Sequence, residues 1–284
     1  MARPFAEVIG DPIEHSKSPS IHRFWLEKTG LDAEYRRTRV AAGALAEHLA
    51  ERRSDPNWRG CNLTMPHKRS VLPLLAAPEP QVACIGAANL VIPAGDGALA
   101  GHNSDAAGFL EPLRPLLARA HLFRMARIFG AGGAARAVVE ALRGEGFALV
   151  VAARRPEQAA RLVEGLDPQF NHSVALDYFA DPTDFAYDDR AGILDLVVNT
   201  TPLGMSGRSA LPIDFSHVPP GAIVYDIVYE PVETPLLREA RARGHRAIDG
   251  LGMLIGQAAV AFEHFFGVPA PRRHDAELRQ VLTR

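Results

Sequence analysis

Lys68 closes the run Asn62-Leu-Thr-Met-Pro-His-Lys68, just past an apolar strand and in the first turn of a helix. Ligands of open α/β sheets bind beyond the C-terminal ends of the strands, so this lysine stands where chemistry is done. A cation there also opposes the helix dipole, which stability alone does not select. The plain alternative is a solvated surface lysine. Asp105, in Gly101-His-Asn-Ser-Asp105, is either a helix-start charge or a partner for Lys68. Facing each other, the two make a proton donor held by a carboxylate, as carbonyl reduction requires. Ser16 and Ser18 offer two hydroxyls that suit a carboxylate or a polyol, whereas helix capping accounts for Ser18 alone. Asn62, Thr64 and Asn89 lie at or near the ends of apolar strands, where capping is the alternative role. Tyr229 follows the apolar strand 223–228 and is either a site residue or a core aromatic. Gln257, inside an apolar helix, must find a hydrogen-bond partner or be costly. The histidines, His15, His67 and His102 among them, lack metal-ligand spacing and read as polar surface or supporting residues, so no metal is expected.

A second constellation sits mid-chain. Ile128-Phe129 ends a strand and runs into Gly130-Ala131-Gly132-Gly133-Ala134-Ala135, followed by helical spacing to Leu142. That strand–turn–helix context gives the glycines a dinucleotide reading. Gly130 permits the tight turn, Gly132 lets backbone approach a pyrophosphate, and Ala135 allows close helix–strand packing. A ligand-free βα turn is the bland counterpart. A site for NAD calls for an acid about 20 residues further on, to hold the ribose 2′-hydroxyl. Here the strand 148–153 ends in Arg154-Arg155, and Glu157 follows Pro156 into the next helix. Two guanidiniums suit a 2′-phosphate, hence NADP; a pair of solvated arginines is the alternative.

Positioning these groups requires an ordered series of elements. Residues 5–10 read as a strand. A helix starts at Ser18-Pro19, with Ser18 as N-cap, and stops at Gly30. Strands over 33–40 and 60–64 bracket a helix over 44–53, and Pro66 opens a helix reaching Leu75. Residues 87–92 and 98–101 flank a hairpin turn at Ala94-Gly-Asp-Gly97. Strands alternating with helices predict an α/β domain with a mostly parallel sheet. A helical stretch over 104–118 leads to a second α/β unit. Its strands lie near Ile128 and over 148–153, 174–176, 195–199 and 222–228, alternating with helical segments. Residues 181–190 form an acidic surface loop. The apolar helix 251–266 and the charged tail are expected to return to the first domain.

Bulk properties narrow the class. With 284 residues, 47% hydrophobic and 23% charged, the chain reads as a soluble globular protein of two domains or one large one. A net charge of −2 gives no reason to expect nucleic acid or an anionic membrane as partner. Cys61 and Cys84 make no disulfide framework and are expected to be small buried side chains in a reducing compartment. The N-terminus lacks a long apolar segment, and 251–262 is interrupted by Gly256 and Gln257, so neither a signal peptide nor a membrane span is expected and the location is expected to be cytoplasmic.

Together these blocks resemble the shikimate/quinate dehydrogenase family, nearly end to end. The resemblance rests on Gly10-Asp-Pro-Ile-Glu-His-Ser-Lys-Ser-Pro19, Asn62-Leu-Thr-Met-Pro-His-Lys68, Gly86-Ala-Ala-Asn89 and Gly101-His-Asn-Ser-Asp105. It continues through Gly130–Ala134, Asn199-Thr-Thr-Pro-Leu-Gly-Met205, Tyr225-Asp-Ile-Val-Tyr229 and Asp249-Gly-Leu-Gly-Met-Leu-Ile-Gly-Gln257. It implies an α/β fold of two domains with a cleft between them: an N-terminal α/β substrate domain (1–104 plus 250–284) and a Rossmann-type doubly wound NADP-binding domain (105–249). It implies that Ser16, Ser18, Asn62, Thr64, Asn89, Asp105, Tyr229 and Gln257 line a shikimate pocket, with Lys68 as acid/base beside Asp105. Gly130, Ala131, Gly132, Gly133, Ala134, Ile227 and Gly250 would contact NADP, with Arg154 and Arg155 at its phosphate. The implied reaction is reversible NADP-dependent reduction of 3-dehydroshikimate to shikimate, in a monomer or homodimer. A quinate or dual quinate/shikimate enzyme and a non-catalytic NADP-binding sensor are the rivals. The paired serines favour shikimate, and retention of Lys68 and Asp105 speaks against a sensor. The chain departs from the family pattern at Ala88-Asn89-Leu90, Ser104, Ala135 and Ala153-Arg-Arg-Pro-Glu-Gln158.

Overall fold

The computed structural model describes residues 3–76, 78–187 and 190–283, in two compact units. Unit 1 comprises residues 1–108 and 254–284, and unit 2 comprises 109–253. The chain passes from one to the other within helices Asp105–Leu110 and Gly250–Phe266. Among the described residues no helix is long and apolar enough to cross a membrane.

Unit 1 holds strands β1 (Phe5–Gly10), β2 (Glu34–Arg39), β3 (Trp58–Leu63), β4 (Leu90–Pro93) and β5 (Leu99–His102), in the order β2-β1-β3-β4-β5. β1 pairs parallel with β2 and β3, but β3/β4 and β4/β5 are antiparallel. The sheet is therefore mixed rather than mostly parallel. A two-strand hairpin closes through Gly95–Gly97, with Asp96 at φ 60°, and leaves no room for a crossover helix. One side of the sheet packs Phe5, Ile9, Leu49, Trp58, Leu63, Val71, Val82 and Val91 into a core. Elsewhere in the unit, helices Ser18–Thr29 and Gly250–Phe266 bring Trp25 and Phe262 into edge-on contact, with ring centroids 5.6 Å apart.

β1 carries a buried acid, Glu7, whose carboxylate accepts from Thr38 Oγ1 (2.5 Å) and Arg52 Nε (2.7 Å) and meets His48 Nε2 (3.1 Å). Burial pushes this carboxyl up, but the hydrogen bonds outweigh it and hold Glu7 below the usual carboxylate range.

Several local expectations are corrected. Ser18 is the first helical residue, not the cap; Lys17 occupies the cap position and no side chain caps the helix. The helix expected from Pro66 to Leu75 is one turn, His67–Ser70, then a 3₁₀ turn, Leu72–Leu74, because Pro73 cannot continue an α-helix. Cys61 is buried as expected, but Cys84 is exposed on the short helix Pro80–Ile85. Of the two roles open to the histidines, surface or supporting, His67 takes the second: it is buried with Nε2 2.7 Å from the Val40 carbonyl.

Unit 2 holds β6 (Phe123–Phe129), β7 (Ala148–Ala153), β8 (His172–Ala175), β9 (Ile193–Asn199), β10 (Ile223–Asp226) and β11 (Arg246–Ile248). They form an all-parallel sheet in the order β11-β10-β9-β6-β7-β8. Two wings diverge from the β6/β9 pair, the doubly wound arrangement whose switch point accepts ligands. β9 is nearly all apolar because both faces of a parallel sheet are covered. Its exceptions are Asn199 at the strand end and Asp195, which is buried and gripped by Arg190 (2.6 Å) and Arg127 (3.3 Å). The expected alternation with helices holds for Gly133–Gly144, Pro156–Val163 and Pro235–Ala242. After β8 and β9, however, the described residues form only the 3₁₀ turns Leu176–Phe179 and Phe215–His217, and β11 has no counterpart in the sequence reading. In the acidic loop expected over 181–190, Asp188 and Asp189 lie outside the described residues.

Candidate active site

In unit 1 the end of β3, the end of β5, the start of β4, β2 and the apolar helix from Gly250 bring seven polar side chains into one hydrogen-bonded group. Lys68 sits in the one-turn helix that follows β3, and its Nζ donates to Asp105 Oδ2 at 2.5 Å. The lysine side chain is 19% exposed and the carboxylate 6%, so the pair is shielded but reachable from the lysine side. Asp105 opens a helix, with its backbone N–H capped by Asn103 Oδ1 (3.0 Å). Its second oxygen, Oδ1, accepts from Asn89 Nδ2 at 2.8 Å.

Asn89 is buried and heavily committed. Besides Asp105 it donates to Ser104 Oγ (3.0 Å), and its Oδ1 accepts from the Ser104 N–H (2.8 Å). Both amide hydrogens are thus used, so Asn89 can meet a ligand only as an acceptor. Asn62 donates to the Asn89 carbonyl (3.3 Å) and accepts from Tyr35 Oη (2.7 Å). Gln257 resolves its position in an apolar helix by donating to the Leu254 carbonyl (2.9 Å), with Oε1 3.5 Å from Ser104 Oγ. Ser104 and Tyr35 are therefore structural members of this group that the sequence reading did not place in the site, Ser104 having been noted only as a departure from the family pattern. The adjacency of Ser104 to Asp105 was a second signal.

The other unit 1 candidates lie on neighbouring segments. Thr64 follows β3, and its methyl lies so close to Gly10 that a Cβ there would stand 2.4 Å from it. Ser16 and Ser18 follow β1. Ser16 Oγ accepts from the Ser18 N–H (3.4 Å), and the Ser16 carbonyl accepts from Arg37 (2.6 Å). Among the described residues no hydrogen bond joins Ser16, Ser18 or Thr64 to the Lys68 group.

Unit 2 contains the remaining candidates. Gly130 follows β6 with φ 118°, and a Cβ there would stand 2.4 Å from Thr200 Oγ1, so only glycine fits. A Cβ at Gly132 would meet nothing within 4 Å, which leaves its backbone open to a ligand. Gly132 also caps helix Gly133–Gly144, whose first turn carries no acid, so the N–H groups there suit a phosphate. Ala131 and Ala134 are partly exposed in the same turn. Arg154 and Arg155 are exposed at the end of β7, with no ion pair to either guanidinium among the described residues. Arg154 also lines a cavity of about 280 Å³ with Ala175, Leu176, Asp177, Ala180 and Pro212. Gly250 is buried against the segment after β10. A Cβ there would stand 2.3 Å from the Ile227 carbonyl oxygen and 2.6 Å from that of Val228. Ile227 and Tyr229 are both partly exposed, so Tyr229 is not a core aromatic.

Asp226 anchors that segment. It is buried and accepts from Thr234 Oγ1 (2.7 Å), Asn199 Nδ2 (2.9 Å) and the Val228 N–H (3.0 Å). Burial pushes its carboxyl up from 3.8 to about 6, with the three hydrogen bonds opposing the rise. Between those values the native state holds a proton that the unfolded chain has lost. The Asp226 contribution therefore favours folding most below the unfolded value, falls as pH rises through the window, and levels off above about 6. Asp226→Asn should gain about 3 kcal/mol relative to the parent between pH 4 and pH 7 in urea unfolding. Parallel stability curves for the two proteins would show that Asp226 is ionised throughout.

Comparison with known proteins finds relatives along nearly the whole chain. The family description "Shikimate dehydrogenase substrate binding domain" matches residues 8–91, and "Shikimate 5'-dehydrogenase C-terminal domain" matches 250–276. The chain is 48% identical over 283 residues to the shikimate dehydrogenase (NADP(+)) of Sphingopyxis alaskensis, covering 99% of this chain and 97% of that one. It superposes with a TM-score of 0.82 on shikimate 5-dehydrogenase from Thermus thermophilus in complex with NADP(H) and shikimate, at 35% identity over 98% of this chain and 99% of that one. A shikimate dehydrogenase in complex with NADP+ aligns with a TM-score of 0.84 at 29% identity, covering 99% and 96% of the two chains. Near-complete coverage at this identity means that the chain belongs to the shikimate dehydrogenase family.

Proposed function

We propose that this protein is an NADP-dependent shikimate dehydrogenase that interconverts 3-dehydroshikimate and shikimate in aromatic amino acid biosynthesis. The observation that carries the reading is the Lys68–Asp105 contact of 2.5 Å within a shielded polar group, in a chain that also bears an open glycine turn at a doubly wound switch point. Unit 1 is the substrate domain and unit 2 the NADP domain. Gly130–Ala134 holds the pyrophosphate, Arg154 and Arg155 the 2′-phosphate, and Ile227 and Gly250 border the cofactor. NADPH, when bound, supplies the hydride that reduces the ring carbonyl.

The chain's own groups do the rest. Lys68 delivers a proton to the carbonyl oxygen during reduction and takes it back during oxidation. Asp105 holds the ammonium in place and is itself fixed by Asn89. Asn62, Thr64, Asn89 and Gln257 meet substrate hydroxyls, and Ser16 and Ser18 meet the carboxylate end. The enzyme works in the cytoplasm as a monomer or homodimer.

Assaying the purified protein with shikimate and with quinate, each against NADP and NAD, tests the reading. Turnover of shikimate with NADP well above the other three pairs is expected. Equal use of quinate would make it a dual enzyme. Tight NADP binding without turnover of either acid would make it a sensor.

A further inference from the structure

Tyr35 lies on β2, in the polar-looking strand Glu-Tyr-Arg-Arg-Thr-Arg, yet it is buried while Arg36 and Arg37 beside it are exposed. Its ring stacks on His22, with centroids 3.8 Å apart and planes within 2°. His22 is itself enclosed by Trp25, Phe262 and Phe265 at 5.9–6.0 Å. Among the described residues neither His22 nitrogen has a hydrogen-bond partner, and burial pushes the ring down to about 3, so it packs as a neutral aromatic plate. Burial likewise pushes the Tyr35 phenol well up, so its hydroxyl stays a donor. The whole stack serves to hold that hydroxyl 2.7 Å from Asn62 Oδ1.

We infer that Tyr35 is a positioning residue for substrate binding: it locks the Asn62 amide with its carbonyl end toward the aromatic interior and its amino end toward the Asn89 side of the site. The Asn89 carbonyl demands the same orientation. It accepts from Asn62 Nδ2 at 3.3 Å, and a flipped amide would set two carbonyl oxygens against each other there. One Asn62 N–H remains free, so this residue recognises a substrate hydroxyl as a hydrogen-bond donor. Asn89 has spent both of its N–H groups on Ser104 and Asp105 and cannot supply that contact. The inference deepens the reading above, because it rests on Asn62 touching substrate.

A double-mutant cycle tests it, with all four proteins assayed where circular dichroism shows them folded. Tyr35→Phe removes only the hydroxyl. It should raise KM for shikimate about 10-fold, the usual size of one lost buried hydrogen bond, and leave kcat within about threefold and KM for NADP unchanged. Asn62→Ala should also raise KM for shikimate, and adding Tyr35→Phe to it should change nothing further, since no amide is left to orient. A merely structural tyrosine would raise KM by the same factor in both backgrounds, and that result overturns the proposal. So does a Tyr35→Phe protein with parental KM, or one that does not fold. If Asn62→Ala alone leaves KM unchanged, the assignment of Asn62 to the substrate site falls, and the role of Tyr35 falls with it.

Discussion

Lys68→Met lowers kcat by about 10²–10⁴-fold, the span that removal of a general acid/base produces, with a much smaller change in KM. The expectation follows from what the ammonium touches. Its partner Asp105 already receives Asn89 on the other oxygen, so the lysine is the one group of the cluster with a proton to give and partial access to solvent. Methionine keeps the length of the side chain and removes the charge. The Asp105 carboxylate is then left buried without its cation, which costs stability, so melting curves must accompany the kinetics. A folded Lys68→Met enzyme with near-parental kcat would remove Lys68 from the chemistry. Because the lost interaction belongs to the transition state, kcat and kcat/KM should fall together. A rise in KM alone would mark Lys68 as a binding residue.

The contrast between what was readable and what was not follows chemistry at two scales. Lys68 and Asp105 could be paired from sequence as a condition, because each follows a strand and both suit one reaction; the structure supplies the contact. The turn at Gly130 was equally legible, since positive φ and contact with Thr200 leave glycine as the only fit. Tyr35 was hidden because β2 shows no apolar alternation. Its burial comes from a helix contributed by another part of the chain, and no local pattern encodes that neighbour. Ser104 was hidden for a different reason. Its importance lies in both donors and acceptors of Asn89 being satisfied at once, a fact of geometry alone.

The fold shows the same division. Alternating strands and helices announced α/β units, but the antiparallel β4/β5 hairpin turned the first sheet mixed. A short connection constrains the pairing direction: the turn at Gly95–Gly97 forces β5 back antiparallel to β4, whereas Gly133–Gly144 provides a parallel crossover. Pro73 cut one expected helix, and the connections after β8 and β9 shrank to single 3₁₀ turns because little apolar helical spacing lies between them. Ser18 failed as a cap because the helix began one residue early, and Ser16 took over the local hydrogen bond.

Arg154→Ala and Arg155→Ala, made separately, should each weaken use of NADP by about 10- to 100-fold in kcat/KM while barely touching NAD. Hydrogen bonds to a charged group contribute about 1.5–3 kcal/mol each, which converts to that range. Both residues follow β7 directly, and β7 neighbours β6, the strand that leads into the glycine turn, in the sheet order. Both guanidiniums are exposed and without an ion pair among the described residues, so neither must abandon a partner to bind a phosphate. Glu157, the nearest acid in the sequence, stands inside the helix Pro156–Val163 and is exposed, so the tip of β7 itself carries no carboxylate to favour a ribose hydroxyl. Arg155 caps that helix through its backbone, so its side chain can be removed without disturbing the helix start. Arg154 differs in lining the cavity with Asp177 and Pro212, and its loss should therefore carry the larger penalty. Raising ionic strength should narrow the NADP advantage of the parent and leave the two variants less affected, since the contribution is charge with charge at an exposed site. Equal losses for both cofactors, or a parent enzyme that prefers NAD, would show that these arginines do not read the phosphate.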